Sequence, residues 1–222
     1  MLEIEKIDRF DGHSAPMLRF RSSLKGPLVG EFFGKLIMDL EERKKWDSQI
    51  EQVYEMYPVN DLDSANILMD YGKFGDCSRL GLGYAQTKKA MGITPREQLF
   101  LYGLQDFVDG SCLIWGTEVD ERYNHLLPNG PRHTRAKSHL FSAALTPTGD
   151  DSFDVEYVLQ MDIGGNIPSF LSMPKVVDTV KNLFKTAQKE FEHGANELEA
   201  FMKEKTEKIQ SLADKHSLLI TP

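Results

Sequence analysis

The chain has 222 residues and a net charge of -8, long enough for one domain that encloses a core or an internal pocket. Its 41% hydrophobic and 27% charged content excludes a disordered or fibrous chain. The acidic balance excludes nucleic acid as the main partner, because phosphate-backbone binding runs on a Lys/Arg surplus.

Only Cys77 and Cys112 are present, without CxxC spacing, so neither a disulfide framework nor a cysteine-rich zinc site is encoded, and a reducing cytoplasm fits. No run of about eighteen apolar residues occurs, and the opening MLEIEKIDRF carries charges throughout. Neither a membrane span nor a signal peptide is expected.

In chain order, residues 2–9 alternate apolar and charged, DGHSAP follows, and 17–24 alternate again; this predicts a β-hairpin. From Pro27 the period changes. Leu28, Val29, Phe32, Phe33, Leu36, Ile37 and Leu40 follow helical spacing, which predicts an amphipathic helix or helix pair ending near Trp46. Residues 58–83 are rich in Asp, Asn, Ser and Gly and read as a long irregular excursion, with strand character only at 67–69. The glycines at 72, 75, 81 and 83 match neither phosphate-loop pattern and read as flexible turns.

Five strand-like runs come next, at 84–89, 97–104, 111–119, 135–145 and 153–162, separated by turns full of Asp, Gly and Pro. Successive antiparallel hairpins are the economical topology. After GGNIPS the period becomes helical, with Val176, Val177, Val180, Leu183, Phe184 and Ala187 on one face and the helix running to Phe191. Strands followed by a helix define an α+β fold. Past His193 and Gly194 a second, charged helical stretch carries a thin apolar stripe of Leu198, Phe201, Met202, Ile209 and Leu212, expected to dock on the domain or a second chain.

Catalytic chemistry finds no motif. The histidines at 13, 125, 133, 139, 193 and 216 show no HxxxH or HxH pairing, so no metal or other cofactor is expected. No GxSxG elbow is present. The carboxylates at 149–151 and 154–156 fall in a turn and on a solvent face.

Two segments are more specific, and a tripeptide lies between them: Arg43-Lys44-Lys45-Trp46-Asp47, Pro95-Arg96-Glu97, and the run from Asp162 to Leu171, DIGGNIPSFL. RxxWD, a PRD-like tripeptide and DxGGxIPxxL, in that order before a helix, resemble the START (StAR-related lipid transfer) domain family over residues 2–192. The resemblance implies a helix-grip fold, a curved antiparallel sheet around a long C-terminal helix with one lipid between them. It implies a START-like domain over 1–194, with the family's usual N-terminal helix absent, and a charged helical extension over 195–222. Glu97 stands where the family usually has Asp, and the stretch between Trp46 and Arg96 is longer than usual.

Without the family, Gly164 and Gly165 suit a strand-to-helix reversal at positive φ, and Pro168 suits the start of a helix. Arg43 has two readings, a surface pair with Glu41, Glu42 or Asp47, or an anchor for a ligand's polar end, since in phosphatidylcholine-binding members the matching Arg faces the lipid phosphate. Helical spacing from Phe33, Leu36, Ile37 and Leu40 places Arg43 and Trp46 near the apolar stripe. Trp46 is read as a packing anchor.

Strand alternation, with the family setting which parity faces inward, lines the cavity with Gln98, Phe100 and Tyr102, with His139, Phe141 and Ala143, and with Val155, Tyr157, Leu159 and Met161. Gly83, Ala85 and Thr87 make a small-residue, roomy wall. The aromatics have a second reading as plain core. The acid–Arg pair of sterol-binding members would fall at Gly83 and Tyr102, and the aromatic cage for a quaternary ammonium at Ala85, Gln98 and His139; both are absent. The expected ligand contacts are therefore Arg43, Ala85, Gln98, Phe100, Tyr102, His139, Phe141 and Tyr157, around one amphipathic lipid such as a phospholipid or sterol. The connection 120–134 occupies the place of the family's lid loop, with Leu126, Leu127 and Pro128 as an apolar tip for transient contact with a membrane surface, or as a plain hairpin loop. The leading function is a soluble, non-catalytic lipid carrier or sensor. The alternative is a cyclase- or aromatase-type enzyme on the same fold, with His139, Tyr102 and Arg96 as acid/base groups.

Overall fold

The computed structural model describes residues 1–7, 15–25, 43–44, 46–55, 79–89, 93–107, 109, 111–127, 132–149, 152–165, 167 and 169–193. Residues 27–42 of the helix or helix pair expected from Pro27 to near Trp46, the strand character at 67–69, Pro128, Pro168 and the extension over 195–222 lie outside them. Described in chain order are β1 (Glu3–Ile7), β2 (Met17–Lys25), β3 (Ile50–Glu55), β4 (Arg79–Thr87), β5 (Arg96–Asp106), β6 (Cys112–Glu118), a 3-10 helix (Glu121–Leu126), β7 (Thr134–Arg135), β8 (Lys137–Gly149), β9 (Ser152–Asp162) and helix α1 (Ser169–His193).

One sheet takes all the strands in the order β1-β2-β9-β8-β6-β5-β4-β3, with the short β7 added in parallel at the start of β5. Every other pairing is antiparallel. The predicted first hairpin is β1–β2, with Glu3 opposite Arg21 and Ile7 opposite Met17. The later strands follow as hairpins, and β9 returns to pair with β2 along its whole length. Trp46 belongs to a helical turn with Arg43 and Lys44, leading through Asp47 into β3.

Alternation divides the sheet into two apolar faces. On one, Phe20, Val53, Ala85, Phe100, Tyr102, Ile114, Ala143, Leu145, Val155 and Leu159 pack with Val180, Leu183, Phe184 and Ala187 of α1. Those helix residues are part of the stripe read from the sequence, and burying Val180, Leu183 and Phe184 contributes roughly 1.5–3 kcal/mol each. That contribution holds α1 in place despite Pro174 inside it, which removes one backbone hydrogen bond. On the other face, Leu82, Tyr84, Leu99, Leu101, Val119 and Tyr123 form a second cluster that includes Leu127. The expected apolar tip is corrected here: Leu127 is buried and Leu126 half-buried against this outer face, because the turn after β6 winds into a 3-10 helix capped by the Asp120 carboxylate on the Arg122 N–H.

Two further differences have physical causes. β3 was not expected, because a register shift between Ile50 and Gln52 breaks the alternation that marks a strand. β4 begins at Arg79, before the expected residue 84, and contains Gly81 and Gly83, which read as flexible turns in the sequence. Each lies under an aromatic ring of the facing strand: Gly81 is paired with Tyr102 and Gly83 with Phe100, and a Cβ at either would come within 2.5 Å of ring carbon. Gly116 stands in the same relation to Phe141, with a Cβ position 2.0 Å from Cε1.

This arrangement makes Gly116→Ala costly by about 1–3 kcal/mol, the usual penalty for overpacking. Chemical denaturation should show Phe141→Leu relieving part of that cost in the double variant; additive losses would contradict the ring-over-glycine contact.

Candidate functional site

The site is built on the turn from β9 into α1. Gly164 and Gly165 adopt φ of 66° and 73°, a region other residues enter at a cost, and the Asp162 carboxylate accepts the Gly164 N–H at 2.8 Å. A side chain at Gly164 would meet the Arg135 carbonyl at 2.5 Å. Arg96 clamps this turn from β5: its Nε donates to the Ile163 carbonyl at 2.7 Å and its Nη2 to that of Gly164 at 3.4 Å. Its Nη1 donates to the carbonyl and the hydroxyl of Thr94, both at 2.7 Å. Two sequence motifs are thus one structural unit. Glu97, next along, faces away and is fully buried, its carboxylate accepting the N–H groups of Arg132 and His133 at 3.2 and 3.3 Å.

Between the sheet and α1 lies a cavity of about 180 Å³. At roughly 10–15 Å³ for one water by this measure, it has room for several waters. Apolar lining comes from Ile50, Ala85, Phe100, Phe141, Leu159, Met161, Val176 and Leu183, and polar lining from Arg43, Asp47, Gln98, Ser138, Tyr157 and Thr179, with Lys88, Arg96 and Lys175 also on its wall. Of the eight side chains expected to face a ligand, Arg43, Ala85, Gln98, Phe100, Phe141 and Tyr157 line it. Tyr102 and His139 do not. Tyr102 is spent covering Gly81, so the roomy wall read from Gly83 is also corrected: Phe100 fills the space above that glycine. His139 sits at a β-bulge, where the register shifts between Ser138 and Leu140; Ser138 takes the lining position, and His139 Nδ1 lies 2.8 Å from the Glu118 carboxylate.

Arg43 reaches the cavity with an ion pair. Its Nε donates to Asp47 at 3.3 Å, its guanidinium carbon lies 6.0 Å from the centre of the Trp46 ring, and the buried Asp47 carboxylate also accepts the Gln49 N–H at 3.1 Å. Tyr157 is close enough to feel both charges. Burial pushes its phenol above its ordinary value of 10.0, with Arg43 pulling it down and Asp47 pushing it up. The surface it keeps faces the cavity, so it stays a neutral hydroxyl there. Gln98 accepts from the Ser138 hydroxyl at 3.3 Å and turns its amide nitrogen to the Met161 sulfur at 3.6 Å, a weak acceptor.

The lining residues that sequence reading missed were partly within reach. Ser172, Lys175 and Thr179 continue the stripe of Val176, Val180 and Leu183 at i, i+3, i+4 spacing, but their polar side chains hide it. Ser138 required the bulge.

No family model matches the chain, and no curated protein does. Solved structures do. Human StAR-related lipid transfer protein 5 is similar with a TM-score of 0.64 at 17% identity, over 86% of this chain and 82% of that one. Human STARD10 is similar with a TM-score of 0.59 at 17% identity, over 86% and 73%. A STAR-related lipid transfer protein fragment from Xanthomonas axonopodis is similar with a TM-score of 0.58 at 18% identity, over 86% and 94%. The fold is therefore the START-like helix grip, an α+β architecture with the sheet closed over by α1.

The raised Tyr157 phenol sets a pH dependence. A folded-state value above the unfolded one means the folded chain holds the proton longer, so stability falls as pH climbs past the ordinary value near 10.0. Ultraviolet titration of wild type against Tyr157→Phe should show the missing phenolate only above that pH; a difference signal at or below it would contradict the buried placement.

Proposed function

We propose that this chain is a non-catalytic lipid-binding protein, cytoplasmic, that encloses one amphipathic lipid between the sheet and α1 and carries or senses it. The observation that carries this reading is the cavity itself: a mostly apolar surface from the sheet and α1 with polar side chains set into it, the pattern of a site that shields an apolar molecule and orients its polar end. The similar solved structures bear lipid transfer names, which supports the same reading. Ala85, Phe100 and Phe141 contact the lipid's apolar body, while Gln98, Tyr157 and the Arg43–Asp47 pair offer hydrogen bonds to its oxygens. Loading requires a passing contact with a membrane surface, and no helix among the described residues is long and apolar enough to cross one.

The enzyme alternative needs His139, Tyr102 and Arg96 to converge on a substrate. His139 and Tyr102 are not on the cavity wall, and Arg96 is engaged with backbone carbonyls. Their placement favours the carrier.

Native mass spectrometry of the purified protein should show one bound lipid mass per chain. Ala85→Trp, which fills the cavity from the buried end of β4, should retain the circular dichroism of wild type and lose that mass. A folded variant that keeps its lipid would contradict the placement.

A further inference from the structure

Arg96 is the one cation among the described residues that is buried, at 6% exposure. A guanidinium has five N–H donors. Four of them go to neutral oxygens of Thr94, Ile163 and Gly164, and the remaining one is on Nη2.

Among the described residues no carboxylate pairs with it, because each acid nearby is committed elsewhere. Glu97 accepts from the Arg132 and His133 backbone, Asp162 caps the Gly164 N–H, and Asp47 pairs with Arg43. Burial alone, with no acid's pull against it, lowers the Arg96 guanidinium from its ordinary range, yet such a group stays charged at neutral pH. A buried charge whose partners are all neutral is costly, and an anion placed beside it removes that cost.

Arg96 lines the cavity together with Lys88 and Lys175. Lys88 directly follows Thr87, whose hydroxyl accepts the Arg96 N–H at 2.9 Å. Lys175 lies in the first third of α1, the helix into which the turn held by Arg96 leads. Asp47 is the one carboxylate among the described lining residues and it offsets Arg43, so Lys88, Arg96 and Lys175 leave the lining with a cationic surplus on a chain whose net charge is -8.

We propose that the bound lipid is anionic and that its carboxylate or phosphate sits between Arg96, Lys88 and Lys175. The charge-balanced Arg43–Asp47 pair and the Tyr157 hydroxyl are left to a neutral oxygen of the same molecule. The assignment rests on the lipid-binding reading above and adds the chemical class of the ligand and the position of its charge.

Oleate and monoolein share one acyl chain and differ in charge, which makes them the probes. Calorimetric titration of the wild type should give about tenfold tighter binding of oleate, the scale of a partly screened charge contact. Substituting Lys88→Gln and Lys175→Gln together leaves the Arg96 clamp intact and should reduce that preference to the share Arg96 alone supplies while monoolein binds as before, with thermal melts verifying the fold. Equal affinity for the two lipids in the wild type overturns the anionic assignment alone, and a preference left unchanged by both substitutions overturns the placement. Uptake of neither lipid overturns the cavity reading as well. Displacement of oleate by millimolar inorganic phosphate overturns the lipid as the source of the anion.

Discussion

The grip of Arg96 on the Ile163 and Gly164 carbonyls is the interaction on which the rest depends. It ties the first residue of β5 to the place where the chain leaves β9 and turns toward α1. Positive φ at both glycines reverses the chain in the shortest distance, and the guanidinium fork fixes the direction in which it leaves. The direction of α1 over the sheet follows from this, and the width of the cavity follows from the direction of α1. A side chain at Gly164 would collide with the Arg135 carbonyl, so the turn is constrained from both sides.

A second constraint keeps the cavity from filling with its own aromatics. The sheet places Tyr102, Phe100 and Phe141 opposite Gly81, Gly83 and Gly116. With no Cβ beneath them, these rings lie down over the glycine backbone. Their area is buried in the wall and not in the lumen, which adds sheet stability and leaves space between sheet and helix. The same device occurs on the outer face, where Trp115 lies over Gly103. Aromatic content that reads in the sequence as competition between core and ligand is, in the structure, both: Tyr102 is core, whereas Phe100 and Phe141 are wall and lining together.

What the sequence made legible follows the strength of each local signal. β2 alternates cleanly, β5, β6, β8 and β9 are strand-like runs bounded by turns full of Asp, Gly and Pro, and α1 carries a stripe at helical spacing, so their existence and order were readable. The inward sides of β5 and β9 were readable once one parity was set, because alternation propagates without error along an uninterrupted strand. It failed where the backbone is interrupted. The register shift in β3 concealed a strand, and the bulge in β8 exchanged Ser138 for His139 on the cavity wall. Gly81 and Gly83 were misread because glycine signals a turn locally, and only the facing rings explain it in a strand. Leu126 and Leu127 were misread because an apolar pair in a loop has the same appearance whether it meets a membrane or the outer face of its own sheet. The pairing of Arg96 with the DIGG turn spans 67 residues, and no local pattern reports it.

We propose that the space between the sheet and α1 is where this protein holds its ligand. Photo-crosslinking the intact chain with a diazirine-bearing fatty acid, followed by peptide mapping, tests it directly. Label is expected on peptides carrying Ser172 to Leu183 of α1 and on those carrying Ala85, Phe141 or Met161. Label confined to the 3-10 helix and the outer-face residues Tyr84, Leu99 and Tyr123 would contradict it.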